Sequence, residues 1–172
     1  MEATTRSIGR GHAAKGGIVA GVIGGIVLSV LMLVMSVSQR QDVWRGAKMA
    51  GMPFLGERAA QPGFDLGAVL VGLLSHFAVS IAWGVLFGLI FFGWSKGLTV
   101  LMGAFWGIVV WLGMFYVVLP IVGLSNVARM MPVGVAVFEH VLFGLAVGFG
   151  FLPFQRERRI RPPVERPVPV TP

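Results

Sequence analysis

Four uninterrupted apolar runs, at about 17–38, 67–92, 98–122 and 133–153, limit what this chain can fold into more than any other feature. About 20 apolar residues in a helix cover the roughly 30 Å hydrocarbon layer of a bilayer. The other structure that satisfies its backbone in lipid is a closed β-barrel, whose strands alternate in polarity over about ten residues. These runs do not alternate. The expected fold class is therefore all-α: a polytopic membrane protein with four transmembrane helices. Of the 172 residues, 56% are hydrophobic and only 12% charged, a composition far from that of a water-soluble domain.

The runs divide the chain into an N-terminal tail (1–16), a transmembrane domain (17–153) with a long outer loop (39–66), and a basic, proline-rich tail (154–172) expected to be disordered. Arg6, Arg10 and Lys15 precede the first run, and Ser36-Val37-Ser38 resembles a signal-peptide cleavage site. Its apolar stretch exceeds the roughly 7–15 residues of a signal-peptide core, so a retained helix is expected. Nine Lys and Arg flank the spans on the side of the termini and five on the other, which predicts cytoplasmic termini. Arg156, Arg158, Arg159, Arg161 and Arg166 follow the last run directly. A juxtamembrane cluster of this kind attracts anionic lipid headgroups. The net charge of +7 is read that way, and no nucleic-acid partner is expected.

The absence of cysteine excludes disulfides, thiolate metal sites and cysteine nucleophiles. No phosphate-binding glycine loop and no HExxH occurs. Neither an enzyme nor a metal site is expected.

Small residues recur every four positions. Gly72, His76, Ser80, Gly84 and Gly88 share one face of the second run; Ala136, His140, Gly144 and Gly148 share one face of the fourth. Gly17, Gly21 and Gly25 mark the first run, Gly103 and Gly107 the third. Such stripes let helices approach closely in lipid. They predict two tandem, related helical hairpins and turn both histidines toward other helices. Glu139, beside His140, is the acidic residue well inside a span. Pointing about 100° away from His140 around the helix, it could reach the third run, where Trp106, Trp111, Tyr116, Ser125 and Asn126 offer partners, or a water-filled cleft.

Ionisable groups inside a membrane mark candidate sites. Glu139, His76, His140 and Ser80 therefore form a predicted polar centre. Its plainest role is to fix the bundle's register through interhelical hydrogen bonds. A proton or small-solute path through an oligomer is a second role. Axial ligation of haem by His76 and His140 is a third, and copper held by the methionines of the outer half (Met32, Met35, Met49, Met52, Met114, Met130, Met131) a fourth. In the outer loop, Asp42 is expected to cap a short helix, with Arg45 and Lys48 facing water while Val43, Ala47 and Phe54 rest on the bilayer.

The glycine-striped first helix, Asp42-x-Trp44 followed by Lys48-Met49-Ala50, the His76 helix and Glu139-His140-x-x-x-Gly144 together resemble the uncharacterised YagU-like four-helix proteins of bacterial inner membranes, over residues about 16–152. The resemblance implies that location and the four-helix form, and supplies no catalytic residue. An accessory or structural membrane component, self-associating or packed beside a larger complex, is the expected function.

Overall fold

The computed structural model describes residues 2–156 and is helical throughout, with no strand among the described residues. In chain order the helices are α1 (Glu2–Ser38), α2 (Arg45–Met49), α3 (Met52–Leu55), α4 (Leu66–Phe91), α5 (Lys96–Gly113), α6 (Leu119–Ile121), α7 (Ser125–Met130) and α8 (Val133–Phe151). Four segments are long and apolar enough to cross a membrane: Gly9–Ser38, Leu66–Phe91, Lys96–Ile121 and Val133–Phe154. This is a four-helix membrane protein. Arg158, Arg159, Arg161 and Arg166, on which the expected disordered tail and its lipid contact depend, lie outside the described residues.

Glycine determines which helices touch. A Cβ added at Gly17 would lie 2.6 Å from the Gly84 carbonyl oxygen, and one at Gly21 2.6 Å from that of Ser80, so α1 and α4 are in backbone contact. A Cβ at Gly103 would lie 2.6 Å from the Gly144 carbonyl oxygen, and Gly107 abuts the His140 carbonyl, so α5 and α8 are joined the same way. The two hairpins repeat one register: Gly21 faces Ser80 as Gly103 faces Gly144, four residues past His76 and His140 respectively.

Aromatic side chains hold the hairpins together. Trp83, Phe87 and Phe91 of α4, Trp106 of α5 and Phe143 and Phe151 of α8 meet in the interior with Ala20 and Leu28 of α1. The Trp106 indole donates to the Trp83 carbonyl at 3.3 Å, and the rings of Trp83 and Trp106 meet edge-on at 5.8 Å. α1 also packs along α8, with Gly24 against Phe143 and Val147. The third span continues past Gly113 through a π-helical turn, Met114–Val118, into α6 and Pro120. Proline removes a helical N–H and crowds the carbonyl four residues earlier, and widening the preceding turn relieves that conflict.

Two boundaries and one packing partner differ from the sequence reading. The segment 2–16 is a helical extension of the first span, and Ala13 is fully buried where its carbonyl meets Gly88. Phe154 and Gln155 belong to the fold and not to the tail. The Gln155 amide donates to Phe91 O at 2.7 Å and Thr99 Oγ1 at 2.6 Å, and its Oε1 accepts from Gly93 N at 2.8 Å. This side chain fastens the end of the last helix to the α4–α5 turn, where Gly93 takes a φ of +91°. Third, the nearest neighbour of Gly72 is the outer loop: a Cβ there would run into the Ala47 carbonyl of α2. The outer loop thus folds back onto the bundle, with Gly46 also against Met32 of α1.

Candidate functional site

The polar groups inside the spans have separate partners. His76 Nε2 is 2.9 Å from the Gly25 carbonyl oxygen of α1. That carbonyl accepts, so the ring carries its proton on Nε2. His140 Nδ1 donates to the Ala136 carbonyl of its own helix at 2.8 Å, and its ring meets Phe115, in the π-helical turn, edge-on at 5.7 Å. Each histidine turns toward its own hairpin partner. Ser80, 4% exposed, is part of the α1–α4 contact. Ser75 is bonded to Val71 O, leaving the Gly25 carbonyl as the interhelical partner of His76.

Glu139 turns a third way. It is 4% exposed, and it lines a cleft of about 390 Å³ between α8 and α1 with Leu31, Val34, Met35, Gly134, Val135 and Phe138. Of the two surroundings expected for it, the third run and a cleft, Glu139 has the cleft: residues 139 and 143 share a helical face, and Phe143 of that face lies against Gly24 of α1 and not toward α5. Trp106 and Asn126, candidate partners of the carboxyl, bond instead to Trp83 O and Arg129. Among the described residues no hydrogen bond reaches the Glu139 carboxyl, and no three of its His, Cys, Asp and Glu residues form a metal-binding group. His76, His140 and Glu139 therefore do not make one bonded centre.

Haem fits poorly between these histidines. Ligation would take Nε2 of His76 from the Gly25 carbonyl, and the glycine faces that would admit the macrocycle are closed by backbone contact.

The long loop carries the best-organised polar cluster. Lys48, expected to face water, is 1% exposed. Its ammonium donates to Asp42 Oδ2 at 3.0 Å, Gln61 O at 2.5 Å and Gly63 O at 2.6 Å, which uses all three of its protons. Asp42 also accepts from Trp44 N and Gly63 N. Partial burial works against its charge, but the Lys48 ammonium and those two N–H groups outweigh it and hold its pKa below the ordinary carboxylate value. Only the two ends of the Asp42–Lys48 spacing are legible in sequence. The carbonyls that complete the cluster lie 13 and 15 residues beyond Lys48. Around it Val43, Trp44, Phe54, Phe64 and Leu66 are exposed, and Trp44 packs on Phe64 with ring centroids 4.8 Å apart. Such residues suit the headgroup level.

Asp65 caps α4 by accepting from Ala68 N and pairs through both oxygens with Arg58. The Arg58 guanidinium and the Ala68 N–H hold its pKa down at about 2. Because the folded value is depressed, the stabilisation is complete above the unfolded value of about 3.9 and is lost as pH falls through about 2. Thermal midpoints measured from pH 5 downward should therefore fall between about pH 4 and 2 less steeply in Asp65→Asn than in wild type.

The last three spanning segments, all but the first residues of the Gly9–Ser38 segment, the Asp42–Lys48 cluster and Glu139 fall within residues 12–161, the stretch matched by the model of a family of unknown function, DUF6789. The chain belongs to DUF6789. No curated protein and no solved structure matches it.

Proposed function

We propose that this DUF6789 protein is an accessory or structural component of the bacterial inner membrane, a glycine-packed scaffold with both termini cytoplasmic. It self-associates or packs beside a larger membrane complex, with its C-terminal arginines on anionic lipid, and neither needs a cofactor nor catalyses a reaction. The likeness to the YagU-like inner-membrane proteins belongs to this proposal. The observation that carries it is the use of both histidines. His76 bonds across to the Gly25 carbonyl of α1, a way of setting helix register, and His140 is bonded within its own helix to the Ala136 carbonyl, so the two rings do not bond to each other.

His76→Ala removes the bond to Gly25 and should cost about 1 kcal/mol, read as a lower thermal midpoint of detergent-solubilised protein. Proton conduction by an oligomer is a second reading, favoured by the unbonded Glu139 carboxyl at its cleft. On the scaffold reading, proteoliposomes holding wild type and Glu139→Gln leak protons at the same rate under a pH gradient. A faster wild-type leak that the substitution abolishes would replace the scaffold reading with the conducting one.

A further inference from the structure

Toward the terminal end of the bundle α1 and α8 are in close contact, Gly24 on Phe143 and Val147, and Gly150 with its added Cβ position 3.2 Å from Ala20 Cα. Toward the long loop α1 presents Leu28, Leu31 and Met35 in place of glycine, and the cleft of about 390 Å³ opens between the helices. That volume falls within the range of small-molecule sites, roughly 300–1,000 Å³. Its walls are apolar apart from one carboxyl group. Val34 and Phe138, at its rim, are 56% and 60% exposed, so the entrance faces sideways, toward lipid.

A carboxylate among apolar walls is costly unless a cation meets it. Lys48 is paired with Asp42 and Arg58 with Asp65, and among the described residues no salt bridge reaches Glu139. The cleft supplies the complement of a particular ligand chemistry. Its carboxyl attracts a positive charge, the Phe138 ring and the Met35 thioether offer polarisable surface, and the aliphatic walls of Leu31 and Val34 accept an apolar body. We propose that the α1–α8 cleft is a binding site for a lipophilic organic cation that enters from the bilayer and places its charge at Glu139. This goes beyond the scaffold reading and does not require conduction.

The test is equilibrium dialysis of the full-length protein in detergent against tetraphenylphosphonium, with neutral triphenylphosphine oxide as competitor. Wild type should bind the cation saturably, Glu139→Gln at least tenfold more weakly, and the neutral compound should not displace it. Gly134→Phe keeps the carboxyl and fills the cleft from a position where an added Cβ meets nothing within 4 Å. It should abolish binding, and it decides the matter if Glu139→Gln does not fold. Equal affinity in wild type and Glu139→Gln, which a cleft made for acyl chains would give, overturns the proposal. So does the absence of saturable binding to wild type, the result expected if a second copy fills the cleft. Neither outcome bears on the His76→Ala stability measurement, so the scaffold reading is judged separately.

Discussion

Gly144→Leu should lower the thermal midpoint by on the order of 10 °C, whereas Gly134→Leu, ten residues earlier in the same helix, should leave it nearly unchanged. Leucine favours a helix more than glycine by close to 1 kcal/mol, so local propensity predicts a small gain at both positions. The surroundings differ. A Cβ at Gly144 collides with the Gly103 carbonyl and lies 2.7 Å from Gly107 Cα, both backbone groups of α5, while one at Gly134 meets nothing within 4 Å. Backbone cannot rotate aside as a side chain can, so the helices must separate. Overpacking of this kind costs about 3 kcal/mol or more, and at roughly 2–4 °C per kcal/mol for a chain of this size the shift follows. Equal midpoints for the two variants, measured by thermal unfolding in one detergent, would show that α5 and α8 are not in backbone contact.

Asp42→Ala should destabilise the outer loop by about 3 kcal/mol, because it leaves the buried Lys48 ammonium with two neutral carbonyls as its acceptors. Adding Lys48→Met removes the stranded charge, and the double variant should recover most of that loss. Hydrogen exchange of the backbone between residues 42 and 63 measures both. Exchange should quicken in Asp42→Ala and slow again in the double variant. If the single and double variants exchange alike, the ion pair does not hold the loop. The consequence reaches the bundle, since α2 lies on Gly72 of α4 and, through Gly46, on Met32 of α1.

The contacts of this fold are unequally legible in its sequence. The glycine stripes could be read because helical geometry places every fourth residue on one face, whatever lies opposite. Gly72 shows the limit of that reasoning. Its place in the stripe of α4 says that something packs closely there, and the something is a loop segment. His76 was recognisable as facing a helix, but its acceptor is a main-chain oxygen 51 residues away, and every residue type has one. Gln155 stands at the polar edge of the last apolar run, and nothing local marks that its amide joins Phe91 O, Gly93 N and Thr99 Oγ1.

What the amino-acid order alone determined is therefore the part of this protein governed by local periodicity and by transfer between water and lipid: four helices, their lengths, the faces that approach and the sparse ionisable groups among them. Tertiary structure alone decided which groups meet. It buried Lys48, separated the two histidines into their own hairpins and turned Glu139 to an open cleft beside α1. The reason is that a hydrogen bond or ion pair needs its partner within about 3 Å. That distance is set by how helices remote in sequence are packed, and no local pattern in the chain encodes it.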